Sequence, residues 1–228
     1  MERESLYRDR RHAGRILASR LEQYANEEGL IVLALPRGGV PVGYEVAMRL
    51  RASLDVFVVR KLGVPGDEEL AMGAVASGGV RVLNDEVVEE LAVTESAIAE
   101  VTARELAEVL RRERAYRRNL PPLDLRDRTV ILVDDGLATG ATMTAAIYGV
   151  RQHSPNRVVV GVPIASPSIC EEMSKLVDDM VCAATPERFA SVGAWYANFE
   201  QTTDAEVRAL LDAARIAERR EPPSMSAP

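Results

Sequence analysis

Two periodicities alternate along this 228-residue chain. Short, continuous apolar runs recur at 30–35 (LIVLAL), 55–60 (DVFVVR), 129–133 (TVILV), 157–164 (RVVVGVPI) and 180–184 (MVCAA). The runs 30–35, 129–133 and 157–164 mark strands buried on both faces, and 55–60 and 180–184 read as further strands. Between them the spacing turns helical. Residues 4–28 place Leu6, Ala13, Ile16, Leu17, Leu21 and Tyr24 on or near one face, with Gly29 as a stop. Further helices are expected over 42–50, over 85–119 with a break near Val93-Thr94, over 143–148 and 166–176, and from Thr203 or Asp204 to about Arg220. Residues 61–69 hold two glycines, a proline and a charge run, so they read as an exposed, mobile loop. Residues 70–76 and 80–83 read as a hairpin around Ser77-Gly78-Gly79, and 221–228 as a disordered tail.

Buried strands alternating with helices predict an α/β fold with a mainly parallel sheet and helices on both faces. One domain is expected over 1–220. Ligands of such sheets bind at the carboxyl ends of the strands, where the loops 36–41 and 134–142 both fall.

Composition narrows this only at a few points. A hydrophobic content of 47% suits one sizeable core. No run approaches the ~18 apolar residues of a membrane span, and the opening MERESLYRDRRHAG lacks the apolar centre of a secretory signal. A cytoplasmic protein without a membrane partner is expected. The net charge of −7 argues against a general nucleic-acid binder, but not against a local anion site made of backbone dipoles. Cys170 and Cys182 fall in different expected elements, so neither a disulfide framework nor a zinc site is expected. The basic run 111–118 reads as a solvated helix end, with a ligand or partner contact as the alternative.

The chemistry concentrates in 130–143, VILVDDGLATGATM. A buried strand ends on two adjacent carboxylates, Asp134 and Asp135. Gly136, Thr139, Gly140, Ala141 and Thr142 follow, then a helix. A Gly/Thr loop at a helix start points N–H groups and hydroxyls at a phosphate, and the helix dipole favours the anion. Two carboxylates beside it would repel a bare phosphate, so the ligand must offer them hydroxyls or a metal. A ribose 5-phosphate does so, with its diol toward the acids and its phosphate toward the loop. Neither G-x-x-x-x-G-K-[ST], G-x-G-x-x-G nor G-x-S-x-G occurs.

The D-D-x-x-x-T-G-A-T pattern resembles the phosphoribosyl-diphosphate (PRPP) motif of type I phosphoribosyltransferases. Leu35–Gly39 (LPRGG) stands where that family keeps its pyrophosphate turn, often with a cis non-proline peptide, and 60–83 stands where it keeps a flexible loop and hairpin. Residues 185–220 resemble its variable hood. The segments DRRHAGRILASRL (9–21) and RKLGVPGDEELAMGAV (60–75) also resemble a bacterial subgroup of predicted phosphoribosyltransferases.

This resemblance implies transfer of the 5-phosphoribosyl group from PRPP to a nitrogen acceptor such as a nucleobase, with release of pyrophosphate, a step of nucleotide metabolism. Ala138, Thr139, Gly140, Ala141 and Thr142 would hold the 5-phosphate, and Asp134 and Asp135 the ribose hydroxyls. Arg37, Gly38 and Gly39 would meet the pyrophosphate, with Arg37 also catalytic. Mg²⁺ would be bound mainly through PRPP, with no direct protein ligand. Arg60 and Lys61 either reach the pyrophosphate or form a solvated loop edge. Trp195 and Tyr196 either stack on the acceptor or pack the hood onto the core. Ala138 stands where 6-oxopurine enzymes usually carry an acid, which argues against that acceptor class. A PRPP- or nucleotide-binding regulator with little catalysis is the alternative function. A homodimer through 85–119 is compatible with either reading.

Overall fold

A computed structural model describes residues 5–118 and 120–220; the expected tail at 221–228 lies outside them. In chain order the elements are α1 (Arg10–Arg20), β1 (Ile31–Ala34), α2 (Gly39–Leu50), β2 (Ser53–Val56), β3 (Val59–Val64), β4 (Asp67–Ala76), β5 (Val80–Leu83), α3 (Asp85–Glu90), α4 (Glu95–Arg117), β6 (Thr129–Val133), α5 (Ala141–Arg151), β7 (Arg157–Ile164), α6 (Pro167–Ser174), β8 (Asp179–Ala184) and α7 (Asp204–Arg220). Five strands form a sheet in the order β2-β1-β6-β7-β8, and every pairing in it is parallel. The α/β fold is therefore as expected, with β6, the strand that carries the acid pair, at its centre.

The period of two within each strand sorts side chains between two cores. Ile131, Val133, Val32 and Ala34 pack with α1, α2 and α7 through Leu17, Leu21, Val42, Val46, Val207 and Leu211. Val130, Leu132, Ile31 and Leu33 pack with α5 and α6 through Met143, Ala146, Ile147 and Met173. All four apolar residues of 130–133 are fully buried. At about 1.5–3 kcal/mol per buried aliphatic side chain, they anchor the site's strand firmly.

Three expectations about the elements change. The helix over 4–28 shortens to α1, because Asp9 caps the chain by accepting from the His12 N–H at 2.7 Å. Ahead of it Tyr7 is extended, forms a bridge with Tyr196 and buries its hydroxyl on the Pro163 carbonyl. The run 55–60 is not one strand. It breaks at the buried Phe57 and Val58, leaving the parallel sheet for an antiparallel one of order β3-β4-β5. The loop expected at 61–69 is instead the tip of the β3–β4 hairpin, with a register irregularity at Gly63. Leu62, Val64 and Met72 are apolar there for a reason: they pack on Ile98, Val101 and Val109 of α4.

Cys170 and Cys182 form a disulfide joining α6 to β8, a correction to the sequence reading. Their elements are adjacent in space, with Cα atoms 6.7 Å apart, which spacing along the chain does not reveal. Among the described residues no helix is long and apolar enough to cross a membrane.

Candidate functional site

The end of β6 and the turn after β1 are built together. The Leu35 N–H donates to the Val133 carbonyl at 2.9 Å, and Gly39 N–H returns to the Leu35 carbonyl at 3.0 Å. The Pro36–Arg37 peptide between them is cis. This tight turn lays Gly38 and Gly39 against the acid pair. A Cβ on Gly38 would overlap Asp135 Oδ2, and one on Gly39 would stand 2.7 Å from the Val133 carbonyl oxygen. Gly38 has ordinary helical torsions, so the requirement is space, not backbone freedom.

Each acid commits one oxygen to the protein. Asp134 Oδ1 accepts from the Asp135 N–H at 2.8 Å, and Asp135 Oδ2 accepts from Arg10 Nε at 2.7 Å. No described residue donates to Asp134 Oδ2 or Asp135 Oδ1, so the pair presents one open acceptor from each carboxylate. The Asp135 carbonyl in turn accepts from the Tyr196 hydroxyl at 2.6 Å. Burial, and then the charge of Asp135, pushes the Asp134 carboxyl well above its ordinary pKa. Burial also raises Asp135, against the charge and hydrogen bond of Arg10, which pull it down.

Beyond the acids, Leu137 N–H donates to the Ile164 carbonyl and ties the loop to β7. Ala138, Thr139, Ala141 and Thr142 are exposed, while Gly140 is buried against Met173 and Ile169 of α6. Gly140 has φ 73°, a left-handed conformation that side chains resist, and α5 starts directly after it. The first turn of a helix has N–H groups without intrahelical acceptors. Here they open beside the threonine hydroxyls, an arrangement suited to an anion.

The other expected residues take different places. Arg37 is 3.6 Å from Asp204 at the start of α7, and Asp204 also accepts from the Tyr116 hydroxyl at 2.7 Å. Arg60 donates to Glu105 of α4 at 2.9 Å, and Lys61 is exposed on β3. No described contact links either to the acid pair. Tyr196 is buried against Tyr7 and Phe199, and Trp195 is part of the same cluster.

Arg10 is the residue the sequence reading missed. It lies within the DRRHAGR segment that carried the subgroup resemblance, but nothing local marks a partner 125 positions away. Its side chain is 12% exposed, and its guanidinium sits 3.9 Å from the centre of the Phe199 ring and donates to the Glu200 carbonyl at 2.6 Å.

The family profile described as "Phosphoribosyl transferase domain" matches residues 3–194. The chain belongs to that family. Two curated Mycobacterium tuberculosis proteins, "Putative phosphoribosyl transferase Rv0571c" and its counterpart in strain CDC 1551, are 48% identical to it over 209 residues. Those matches cover 92% of this chain and 47% of each relative, so the chain spans about half the length of the curated relatives it matches. Among solved structures, TT1426 from Thermus thermophilus is 45% identical, with a TM-score of 0.80 over 90% of this chain and 97% of that one. In this phosphoribosyl transferase domain the profile spans the turn at Arg37, the acid pair and the 138–142 loop.

Proposed function

We propose that the chain binds Mg²⁺-PRPP across the ends of β1 and β6 and transfers its phosphoribosyl group to a nitrogen acceptor, releasing pyrophosphate. The observation that carries this reading is the pair of open carboxylate oxygens, Asp134 Oδ2 and Asp135 Oδ1, beside an exposed Gly/Thr loop at a helix start. Two adjacent acceptors suit the two vicinal hydroxyls of a ribose. Ala138, Thr139, Gly140, Ala141 and Thr142 take the 5-phosphate, and Gly38 and Gly39 give the pyrophosphate close access to backbone.

Among the described residues no cluster of three or more His, Cys, Asp or Glu side chains could hold a metal, which suits a Mg²⁺ that would take its oxygens from the diphosphate and water rather than from the protein. When bound, it neutralises charge on the leaving pyrophosphate. The protein's own contribution is position and electrostatics. Asp134 and Asp135 hold the sugar and face the positive charge that grows on its ring as the bond to pyrophosphate breaks. Arg37, carried on the same turn as the glycines, meets the leaving group by exchanging its contact with Asp204. Arg60 and Lys61 belong to the hairpin that would cover the ligand and exclude water. A nucleobase is the acceptor class we favour, in a cytoplasmic protein with no nucleic-acid or membrane partner. Tyr196, with its hydroxyl on Asp135, aligns the pair, and Trp195 beside it would meet the acceptor. A homodimer through 85–119 fits the same reading.

Thermal unfolding with and without Mg²⁺-PRPP tests the binding step, and a clear stabilisation is expected. Equal stabilisation of Asp134→Asn/Asp135→Asn would sink the assignment. Pyrophosphate release with a panel of nucleobases and amines tests turnover. Binding without release from any acceptor would favour a regulator.

A further inference from the structure

The acid pair is enclosed by two segments distant from it in sequence. Residues 7–10 and 195–200 lie side by side: Tyr7 N–H donates to the Trp195 carbonyl, Ala197 N–H to the Tyr7 carbonyl, and Asn198 N–H to the Arg8 carbonyl. From one segment comes Arg10, and from the other the surfaces that fix it. Phe199 lies under the guanidinium and the Glu200 carbonyl accepts from Nη1. A cation–aromatic contact and two hydrogen bonds leave this side chain little freedom. Its Nε then donates to Asp135 Oδ2 and leaves Oδ1 without a partner among the described residues.

The same guanidinium adjoins the pyrophosphate turn. A Cβ built on Gly38 would stand 3.3 Å from Arg10 Nε. Arg10, Asp135 and Gly38 therefore meet at one point, where the ribose and pyrophosphate subsites join.

We infer that Arg10 is a positioning residue of the phosphoribosyl site: by occupying Asp135 Oδ2 it supplies the pair's countercharge and holds that carboxylate turned, so that Oδ1 faces the sugar. The inference rests on the PRPP reading above. Its physical basis is the neighbourhood of Asp135. Two adjacent carboxylates shed of water repel each other, and without a countercharge they share a proton. The groups facing Asp135 are Arg10 from α1, Asp134 on its own strand end, Tyr196 from the aromatic segment and, behind it, Tyr7. Arg37 on the adjoining turn is engaged by Asp204. Arg10 is thus the one cation bonded to the pair among the described residues. Its positive charge also offsets negative charge on the pair, which eases entry of a polyanionic ligand.

The test combines two readouts on wild type, Arg10→Met and Arg10→Lys, each first checked for a native thermal transition. In the ligand-free proteins, carbon-13 NMR of the aspartate carboxyls follows the titration of Asp134 and Asp135. In parallel, calorimetry gives the affinity for Mg²⁺-PRPP across pH. Arg10→Met is expected to move the pair's titration to higher pH and to weaken PRPP binding about 10- to 100-fold near neutrality. The acid limb of the binding profile should move the same way. Arg10→Lys should recover most of the titration and part of the affinity. Should Arg10→Met fail to fold, Phe199→Leu removes the shelf under the guanidinium and should weaken binding while leaving Arg10 in the chain.

An unmoved titration, or wild-type PRPP affinity in a folded Arg10→Met, overturns the inference. Wild type that binds no PRPP overturns the site assignment, and this inference falls with it. The two failures are told apart by wild type alone.

Discussion

Gly38 lies so close to Asp135 that a single methyl group between them would occupy the position of the carboxylate oxygen that Arg10 holds. Because Gly38 has ordinary torsions, Gly38→Ala carries no backbone strain and its whole effect is steric. It should cost about 1–3 kcal/mol of stability by overpacking. Displacing Asp135 should also weaken Mg²⁺-PRPP binding at least about tenfold, through the acceptor it turns away. Urea denaturation and ligand titration read the two effects separately. Unchanged binding in the alanine variant would show that Asp135 need not sit where it does.

Asp134 links function to a stability cost. A carboxyl whose folded pKa is raised keeps a proton that the unfolded chain has lost, so the folded state binds more protons. Stability then falls as pH rises from the unfolded value through the folded one. Asp134 is raised in this sense, first by burial and then by Asp135. Asp134→Asn retains an oxygen for the Asp135 N–H and removes the titration. The ligand-free variant is expected to gain on wild type as pH is raised above about 4, while its PRPP affinity drops. Denaturation curves across that range check the sign. A variant that loses ground with rising pH would contradict the burial argument.

Tyr196 donates its hydroxyl to the Asp135 carbonyl, and burial pushes its pKa strongly upward. Tyr196→Phe leaves that carbonyl without its partner, at a cost of about 1–3 kcal/mol. PRPP affinity should fall with it. If the ring instead stacked on the acceptor, phenylalanine would preserve the contact and PRPP affinity would be unchanged. Chemical denaturation together with PRPP titration distinguishes these outcomes.

Arg117 and Asp55 form a buried ion pair at 3.1 Å between α4 and β2, with the Arg117 guanidinium also donating to the Pro121 carbonyl. Arg117→Met leaves Asp55 charged and enclosed, and should cost about 3–5 kcal/mol. Replacing both, as Asp55→Val/Arg117→Met, should recover most of that loss. A double variant no more stable than the single one would show that the pair contributes packing and not charge compensation.

The acid pair and the 138–142 loop were legible in the sequence because they are contiguous. One strand, one turn and one helix start hold them, and local spacing reports such a unit directly. The buried strands β1, β6 and β7 were legible for a related reason. Burial on both faces demands an unbroken apolar run, and β6 and β7 begin and end where their runs do. The same signal misled at 55–60. Residues bridging two sheets are as buried as residues within one, so the break at Phe57 and Val58 leaves no mark in the pattern. It misled again at 61–69, where a hairpin tip with Gly63, Pro65 and Gly66 has the composition of a loop.

By itself, then, the sequence determined the α/β class, the strand that carries the acids, and the glycines and threonines grouped after its end. Tertiary structure alone decided who attends those acids. Arg10 reaches Asp135 across 125 positions and Tyr196 across 61, and Cys170 finds Cys182 because α6 lies beside β8. Periodicity tells which face of an element is buried but not which distant face meets it. That is set by strand order, and strand order brings α1 and the 195–200 segment over the end of β6.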